Sequence, residues 1–283
     1  MPESQLQSRS LIVDGVATPL LEGGAADSGE AIVFIHGNPG AGRDWERLAG
    51  EASAFARVVA PDMPGFGRAD KPADFSYTID GYAQHLDSLL RALAIHRAHL
   101  VLHDFGGPWG LRWATDHADA VASLTLINTG VMLRYRWHSL ARVWRTPLLG
   151  ELFQATATRA AFHGLLKRGN PRRLPREFVD RMYDDYDAGT KRAVLRLYRA
   201  TSRPAKLSEA MAPALRRLQV PVLVVWGRHD PYIGIEVAER QREVFPEASL
   251  VVLDDSGHWP FADNPAATSA EVVPFLRRHF RVR

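Results

Sequence analysis

Cysteine is absent from the 283-residue chain. Disulfides, zinc–thiolate sites and a thiol nucleophile are excluded with it. No HExxH or comparable ligand spacing occurs either, so a metal would need His, Asp or Glu residues gathered by folding. Long apolar runs are also missing. Nothing approaches the roughly 18 unbroken apolar residues of a membrane span, and the opening MPESQLQSRSLIV has no basic start leading into a secretory-length apolar run. A cytoplasmic protein is the expectation, with no membrane association. Internal repeats and low-complexity tracts are not found. Net charge is small at +3, yet residues 131–206 carry 17 Arg and Lys against 6 Asp and Glu, leaving 18 against 26 elsewhere. Such a lobe can attract anionic substrates, lipid head groups or nucleic acid. Its arginines are scattered along helical patterns with no nucleic-acid motif among them. A solvated surface explains them better, and no nucleic-acid partner is expected.

What is present is the composition of a soluble globular chain, 46% hydrophobic and 24% charged. The length suits one α/β core with an appended lobe. Short apolar runs at Ala31–Gly37, Arg57–Gly67, Ala98–Gly107, Val121–Gly130, Val220–Pro231 and Ser249–Pro260 alternate with helical patterns, which predicts a mostly parallel sheet flanked by helices. Thr78 to Ile95 and Pro265 to Phe280 read as two of those helices. Between the strands near Asn128 and Val220 lies a long stretch of helical periodicity without a convincing strand, broken by RTPLLG, RGNPRRLP and TSRPAK. The expected division is a core over 1–130, an all-helical cap over 131–206 and the rest of the core over 207–283. The cap would cover the carboxyl ends of the strands, where open α/β sheets place ligands.

Asp104, Asp230 and His258 each follow a separate predicted strand, in LVLHD, WGRHDPY and DDSGHWPF. Acidic nucleophile, acid and histidine in that order is the α/β-hydrolase order, although the G-x-S-x-G serine elbow of that fold occurs nowhere in the chain. At the equivalent turn stands His103-Asp104-Phe105-Gly106-Gly107, where Gly106 suits a tight elbow and Leu102 is larger than the serine motif prefers. The helix starting behind the turn favours an ionised carboxylate at its N-terminus. Alone, Asp104 would pass for a helix N-cap and His258 for a hydrogen-bonded loop histidine. Jointly and in order with Asp230, they read as a catalytic set. Asp254 and Asp255 sit too near His258 in sequence to be its partner and fit a turn instead.

HGNPGAGRDW, DMPGFGRADKP, HDFGG, WGRHDP and GHWPFADNP together resemble, in order and spacing, the motifs of the α/β-hydrolase-fold epoxide hydrolases and haloalkane dehalogenases. The resemblance covers nearly the whole chain. It implies an α/β-hydrolase fold with a helical cap and a covalent alkyl ester on Asp104. His258 would activate the water that hydrolyses the ester, Asp230 would hold the imidazole, and the backbone N–H groups of Asn38 and Phe105 would form the oxyanion hole. No cofactor is implied. At the alternative acid position used by some dehalogenases this chain has Asn128.

The two families differ in what assists departure. An opening epoxide needs a proton, typically from cap tyrosines; a halide needs N–H donors, one of them from a Trp beside the nucleophile. Residue 105 is Phe, which turns the expectation toward an epoxide, whereas Asn38 in HGNP is commoner in dehalogenases. AVLRLYRA resembles the segment bearing a proton-donating tyrosine, which falls on Tyr198. Packing of the lobe onto the core is the other use for such a residue. A second donor is left open among His138, Tyr135, Tyr183 and Tyr186, because the stretch LGELFQATATR holds Phe153 and no Tyr. Trp109 reads as core. Trp137 and Trp144, seven apart on one predicted helix, would share a face and roof or pack the site. The expected function is opening of a small hydrophobic epoxide by water to a vicinal diol, with carbon–halogen hydrolysis as the alternative and a homodimer allowed. A silent fold member binding a hydrophobic ligand would not need the whole Asp-Asp-His set.

Overall fold

The computed structural model describes residues 6–25, 27–167 and 170–280. Eight strands form one sheet: β1 (Gln7–Val13), β2 (Val16–Gly23), β3 (Glu30–Ile35), β4 (Val58–Pro61), β5 (Arg97–His103), β6 (Val121–Ile127), β7 (Val222–Gly227) and β8 (Ser249–Leu253). Their spatial order is β1-β2-β4-β3-β5-β6-β7-β8. β1 and β2 are antiparallel to each other and β2 to β4, while every pair from β4 to β8 is parallel. β6 and β7 are buried along their whole length. That is why they read as unbroken apolar runs and not as alternations.

The sequence reading missed β1 and β2. They form a hairpin closed at Asp14-Gly15, where both residues have positive φ and Val13 pairs with Val16. An Asp-Gly pair between two extended runs is a strong hairpin signal. It escaped notice because β1 is an edge strand exposed over most of its length, so it carries no apolar run to find.

The helix Glu46–Ser53 packs on the closing helix Pro265–His279, while Ile79–Ala92 packs on Gly106–Asp116, which packs in turn on Pro204–Leu215. These groups flank the sheet. Ile79–Ala92 starts where the Thr78 side chain accepts from the Gly81 N–H, and its buried face includes Tyr82, Leu86 and Leu89. The interval between β6 and β7 contains the helices Ser139–Arg145, Leu149–Ala155, Arg159–Lys167, Arg176–Asp184, Ala188–Ala200 and Pro204–Leu215, with no strand among the described residues. Residue 206 therefore lies inside a helix that rests on the core. Many of the insertion's arginines are paired, for example Arg159 with Asp180 and Asp184 and Arg199 with Glu151. Among the described residues no helix is long and apolar enough to cross a membrane.

Candidate active site

Because β3, β5, β7 and β8 run parallel, the segments that follow them emerge at one edge of the sheet. Asn38 follows β3, Asp104 follows β5, Asp230 follows β7 and His258 follows β8. Residues that are far apart in sequence thus meet above the strand ends.

Asp104 occupies the turn between β5 and the helix Gly106–Asp116 with φ of 48°. For a residue other than glycine, that conformation costs about 1–3 kcal/mol and needs support from its surroundings. Thr129 supplies part of it by donating from Oγ1 to the Asp104 carbonyl at 2.6 Å. The elbow also explains its neighbours. A Cβ on Gly106 would stand 2.3 Å from the carbonyl oxygen of Ile35, so only glycine fits against β3. The bulky Leu102 is accommodated one turn along the helix, where a Cβ on Gly110 would come within 2.5 Å of its side chain. The missing small residue before the nucleophile position is offset by a glycine after it.

The Asn38 backbone N–H donates to Asp104 Oδ1 at 2.7 Å. The other oxygen, Oδ2, lies 3.6 Å from His258 Nε2. Burial alone would push the Asp104 carboxyl up. The nearby charge of His258, with His103 and the Asn38 N–H, outweighs it and holds the pKa below the ordinary value. Asp104 is therefore an anion at neutral pH, with one oxygen engaged and one turned to His258.

His258 is fixed from behind. Its Nδ1 lies 2.6 Å from Asp230 Oδ2, so Nδ1 carries a proton and Nε2 faces Asp104. Burial works against a charged ring, but the two carboxylates prevail and raise the His258 pKa. Asp230 is locked in turn: its Oδ1 accepts from the Tyr232 and Ile233 N–H groups at 2.8 and 2.9 Å, and Oδ2 accepts from Asn128 Nδ2 at 2.8 Å. Asn128, whose importance the sequence did not reveal, also accepts the Gly227 N–H at 2.9 Å and so ties β6 to β7 under the acid. A neutral amide there holds the acid without adding a second charge. His103 lies beneath, its pKa lowered to about 3 by burial and by His258, and its Nε2–H donates to the His258 carbonyl at 2.8 Å.

Above Asp104 is a cavity of about 510 Å³, bounded below by Asn38, Asp104, His258 and Trp259 and above by residues of the insertion. Tyr198 borders it from the helix Ala188–Ala200, whose first turn is capped by Asp187 accepting from the Thr190 N–H at 2.8 Å. The ring is wedged between Phe105, Trp137 and Trp144 at centroid distances of 5.0, 5.1 and 4.8 Å. Asn38 Nδ2 reaches the Tyr198 hydroxyl at 3.4 Å, so one residue touches both that hydroxyl and the Asp104 carboxylate. Burial, and then the Asp104 charge, raise the Tyr198 pKa well above its usual value. The hydroxyl stays protonated and available as a donor.

The other aromatic candidates separate. The Tyr183 hydroxyl is directed to the Ala157 carbonyl at 3.4 Å, and that of Tyr135 to the Tyr232 carbonyl at 3.0 Å. Tyr186 borders the cavity, with Gln154 Nε2 donating to its hydroxyl at 2.9 Å. His138 borders it too. It is the N-cap of Ser139–Arg145, its Nδ1 accepting from the Ala141 N–H at 3.2 Å, which leaves the ring proton on Nε2. Burial lowers its pKa to about 4, so the ring is neutral at ordinary pH and offers one N–H. This cap also corrects the reading of the tryptophans: Trp137 precedes the helix that holds Trp144, and the two flank Tyr198 without sharing a helical face. Trp109 is core, fully buried and stacked on Tyr82 at 3.9 Å. Asp254 and Asp255 are exposed and pair with Arg228 and Arg172. Among the described residues no group of three His, Asp or Glu side chains gathers around a common metal position.

The arrangement joins a carboxylate at the edge of an apolar cavity, an oriented imidazole and a neutral phenol. It can attack a carbon electrophile, protonate a leaving oxygen and activate water. Known proteins with this chain's overall design are diverse. It is 29% identical to the cis-3-alkyl-4-alkyloxetan-2-one decarboxylase of Xanthomonas campestris pv. campestris over 286 residues, 94% of each chain. It is 30% identical to the 2-hydroxymuconate semialdehyde hydrolase of Pseudomonas sp. strain CF600 over 289 residues, 95% of this chain and 93% of that one. The crystal structure of Cfl2 from Burkholderia cenocepacia superposes with a TM-score of 0.83 at 28% identity, covering 98% of this chain and 96% of that one. The haloalkane dehalogenase DbeA of Bradyrhizobium elkanii superposes with a TM-score of 0.83 at 22% identity, covering 96% of this chain and 98% of that one, a likeness of fold alone. Residues 30–265 match the family described as alpha/beta hydrolase fold, and with the eight-stranded sheet and the strand-end site the chain belongs to that family.

Proposed function

We propose that the protein hydrolyses an epoxide to a vicinal diol through an ester on Asp104, with the part of the insertion before the core-resting helix Pro204–Leu215 acting as the cap over the site. The observation that carries this reading is the Tyr198 hydroxyl held in the same cavity as the Asp104 carboxylate, with Asn38 in contact with both. In the first step Asp104 Oδ2 attacks a ring carbon. The ring C–O bond breaks with its electrons moving to oxygen, and Tyr198 gives its proton to that oxygen while His138 Nε2–H donates a second hydrogen bond. In the second step His258 takes a proton from water, and the hydroxide attacks the ester carbonyl carbon. The oxyanion is held by the N–H groups of Asn38 and Phe105. Collapse breaks the ester C–O bond, the leaving diol oxygen takes the proton of the hydroxyl added to the carbon, and Asp104 returns as a carboxylate beside a protonated His258. Loss of the Asp104 charge on esterification lowers the His258 pKa, so before the second step the resting proton of His258 passes to the Tyr198 phenolate and the neutral ring is free to act as the base.

The Xanthomonas relative supports a strained oxygen ring as the substrate type, since the oxetan-2-one in its name shares such a ring with an epoxide. Carbon–halogen hydrolysis by the same nucleophile is the second reading, favoured by the Asn38 amide beside Asp104. Phe105 offers no side-chain N–H to a halide, which weighs against it. Diol formation from styrene oxide, measured beside bromide release from a bromoalkane, separates the two. Bromide release without epoxide turnover would sink the first reading.

Tyr198→Phe is expected to lower the single-turnover rate of ester formation from an epoxide by about a hundredfold, the range for loss of a positioned general acid. An unchanged rate in burst kinetics would remove Tyr198 from the chemistry.

A further inference from the structure

Space around the Asp104 carboxylate is strongly one-sided. The cavity of about 510 Å³ leaves the polar groups and runs into the insertion, past Leu140 and Trp144 to Phe153, Ala157, Phe162 and Leu165. Aromatic neighbours mark its course, with ring centroids 4.8 Å apart for Tyr198 and Trp144, 6.4 Å for Trp144 and Phe153, and 5.5 Å for Tyr186 on its flank and Phe162. Its far end comes to the surface at the exposed Ala161 and Gly164. On the other side Asp104, His138, Tyr198 and Tyr232 border a second space of only about 30 Å³, closed by Phe105, Met132, Trp137 and Ile233. A single water requires roughly 10–15 Å³, so this recess admits a methyl-sized group and no chain.

We propose, resting on the epoxide reading above, that the site selects terminal epoxides with one long apolar substituent. The substituent lies in the insertion arm, and the unsubstituted ring carbon sits over Asp104 against the small recess. Oδ2 bonds to the terminal CH₂, the bond from that carbon to the ring oxygen breaks, and the oxygen takes the Tyr198 proton while still bound to the substituted carbon. The arm explains why an enzyme for a three-membered ring would carry a cavity far larger than the ring. An epoxide with chains on both carbons would have to force one of them into the recess.

The test compares two isomers of equal mass in the wild-type protein: the epoxide of the terminal octene and that of the symmetric mid-chain octene. A kcat/KM at least about a hundredfold higher for the terminal isomer is expected, because each misplaced methylene alone is worth tenfold or more. Ala157→Phe, which narrows the arm at a half-buried position, is expected to shrink the preference for the terminal octene epoxide over propylene oxide by about tenfold. Binding of the two product diols, followed by thermal shift, tests the shape without relying on turnover; the terminal diol should raise the Tm more. Comparable kcat/KM for both isomers would overturn the one-armed site while leaving epoxide hydrolysis standing. No turnover of either, with the terminal diol still preferred, would overturn the reaction and leave the shape standing. Equal thermal shifts from both diols would overturn the selection itself.

Discussion

Asp104→Ala is expected to abolish epoxide turnover, with kcat/KM falling by at least about 10⁴-fold, the scale on which loss of a nucleophile is felt. Two routes to a diol are chemically open at this site. In one, Asp104 attacks the ring and water later frees the ester; in the other, His258 activates water against the ring directly and Asp104 only tunes the imidazole. Geometry favours the first. Asp104 Oδ1 is held by the Asn38 N–H at 2.7 Å, and the anion borders the cavity. His258 Nε2 lies 3.6 Å from the other carboxylate oxygen, Oδ2, placed to activate water against the ester once Oδ2 carries the substrate carbon and Oδ1 is its carbonyl oxygen. If water attacked the ring directly, removing the carboxylate would lower the His258 pKa and leave substantial activity at alkaline pH. Circular dichroism of the variant separates loss of chemistry from loss of fold, which matters because alanine at a φ of 48° is itself strained.

His258→Gln carries the second large effect. The first step does not need a base, since Asp104 is already ionised, whereas the second step does. The variant is expected to react once and stop, gaining the mass of one epoxide on the intact protein, with the adduct on the peptide that contains Asp104. Steady turnover should fall by about 10³-fold or more, in line with loss of a general base. A variant that loses turnover without gaining mass would place His258 in the first step instead.

How far the sequence reaches depends on how local each feature is. Asp104, Asp230 and His258 could be nominated because each sits just past a strand marked by an apolar run, buried in β5 and β7 and half-buried in β8, and parallel strands bring such positions to one edge. Tyr198 could be nominated from its segment, and the fold sets it at the cavity. His138 could only be named among four candidates, because its value lies in the N-cap bond to Ala141 that fixes its tautomer and in the chain path that returns it to the cavity. Asn128 was noted merely for not being an acid; its role depends on Asp230 lying beside it after the sheet forms. The hairpin β1–β2 was signalled by Asp14-Gly15 but hidden by an exposed strand. The unequal spaces beside Asp104 arise from packing among several insertion helices and the core, which no spacing rule encodes.

A single turnover in heavy-oxygen water, with enzyme in excess over a terminal epoxide, tests the ester on Asp104 most directly. The first diol released should contain only ordinary oxygen, and the heavy isotope should appear in the Asp104 carboxylate when its peptide is weighed. A heavy hydroxyl in that first diol, with Asp104 unlabelled, would contradict nucleophilic attack by Asp104.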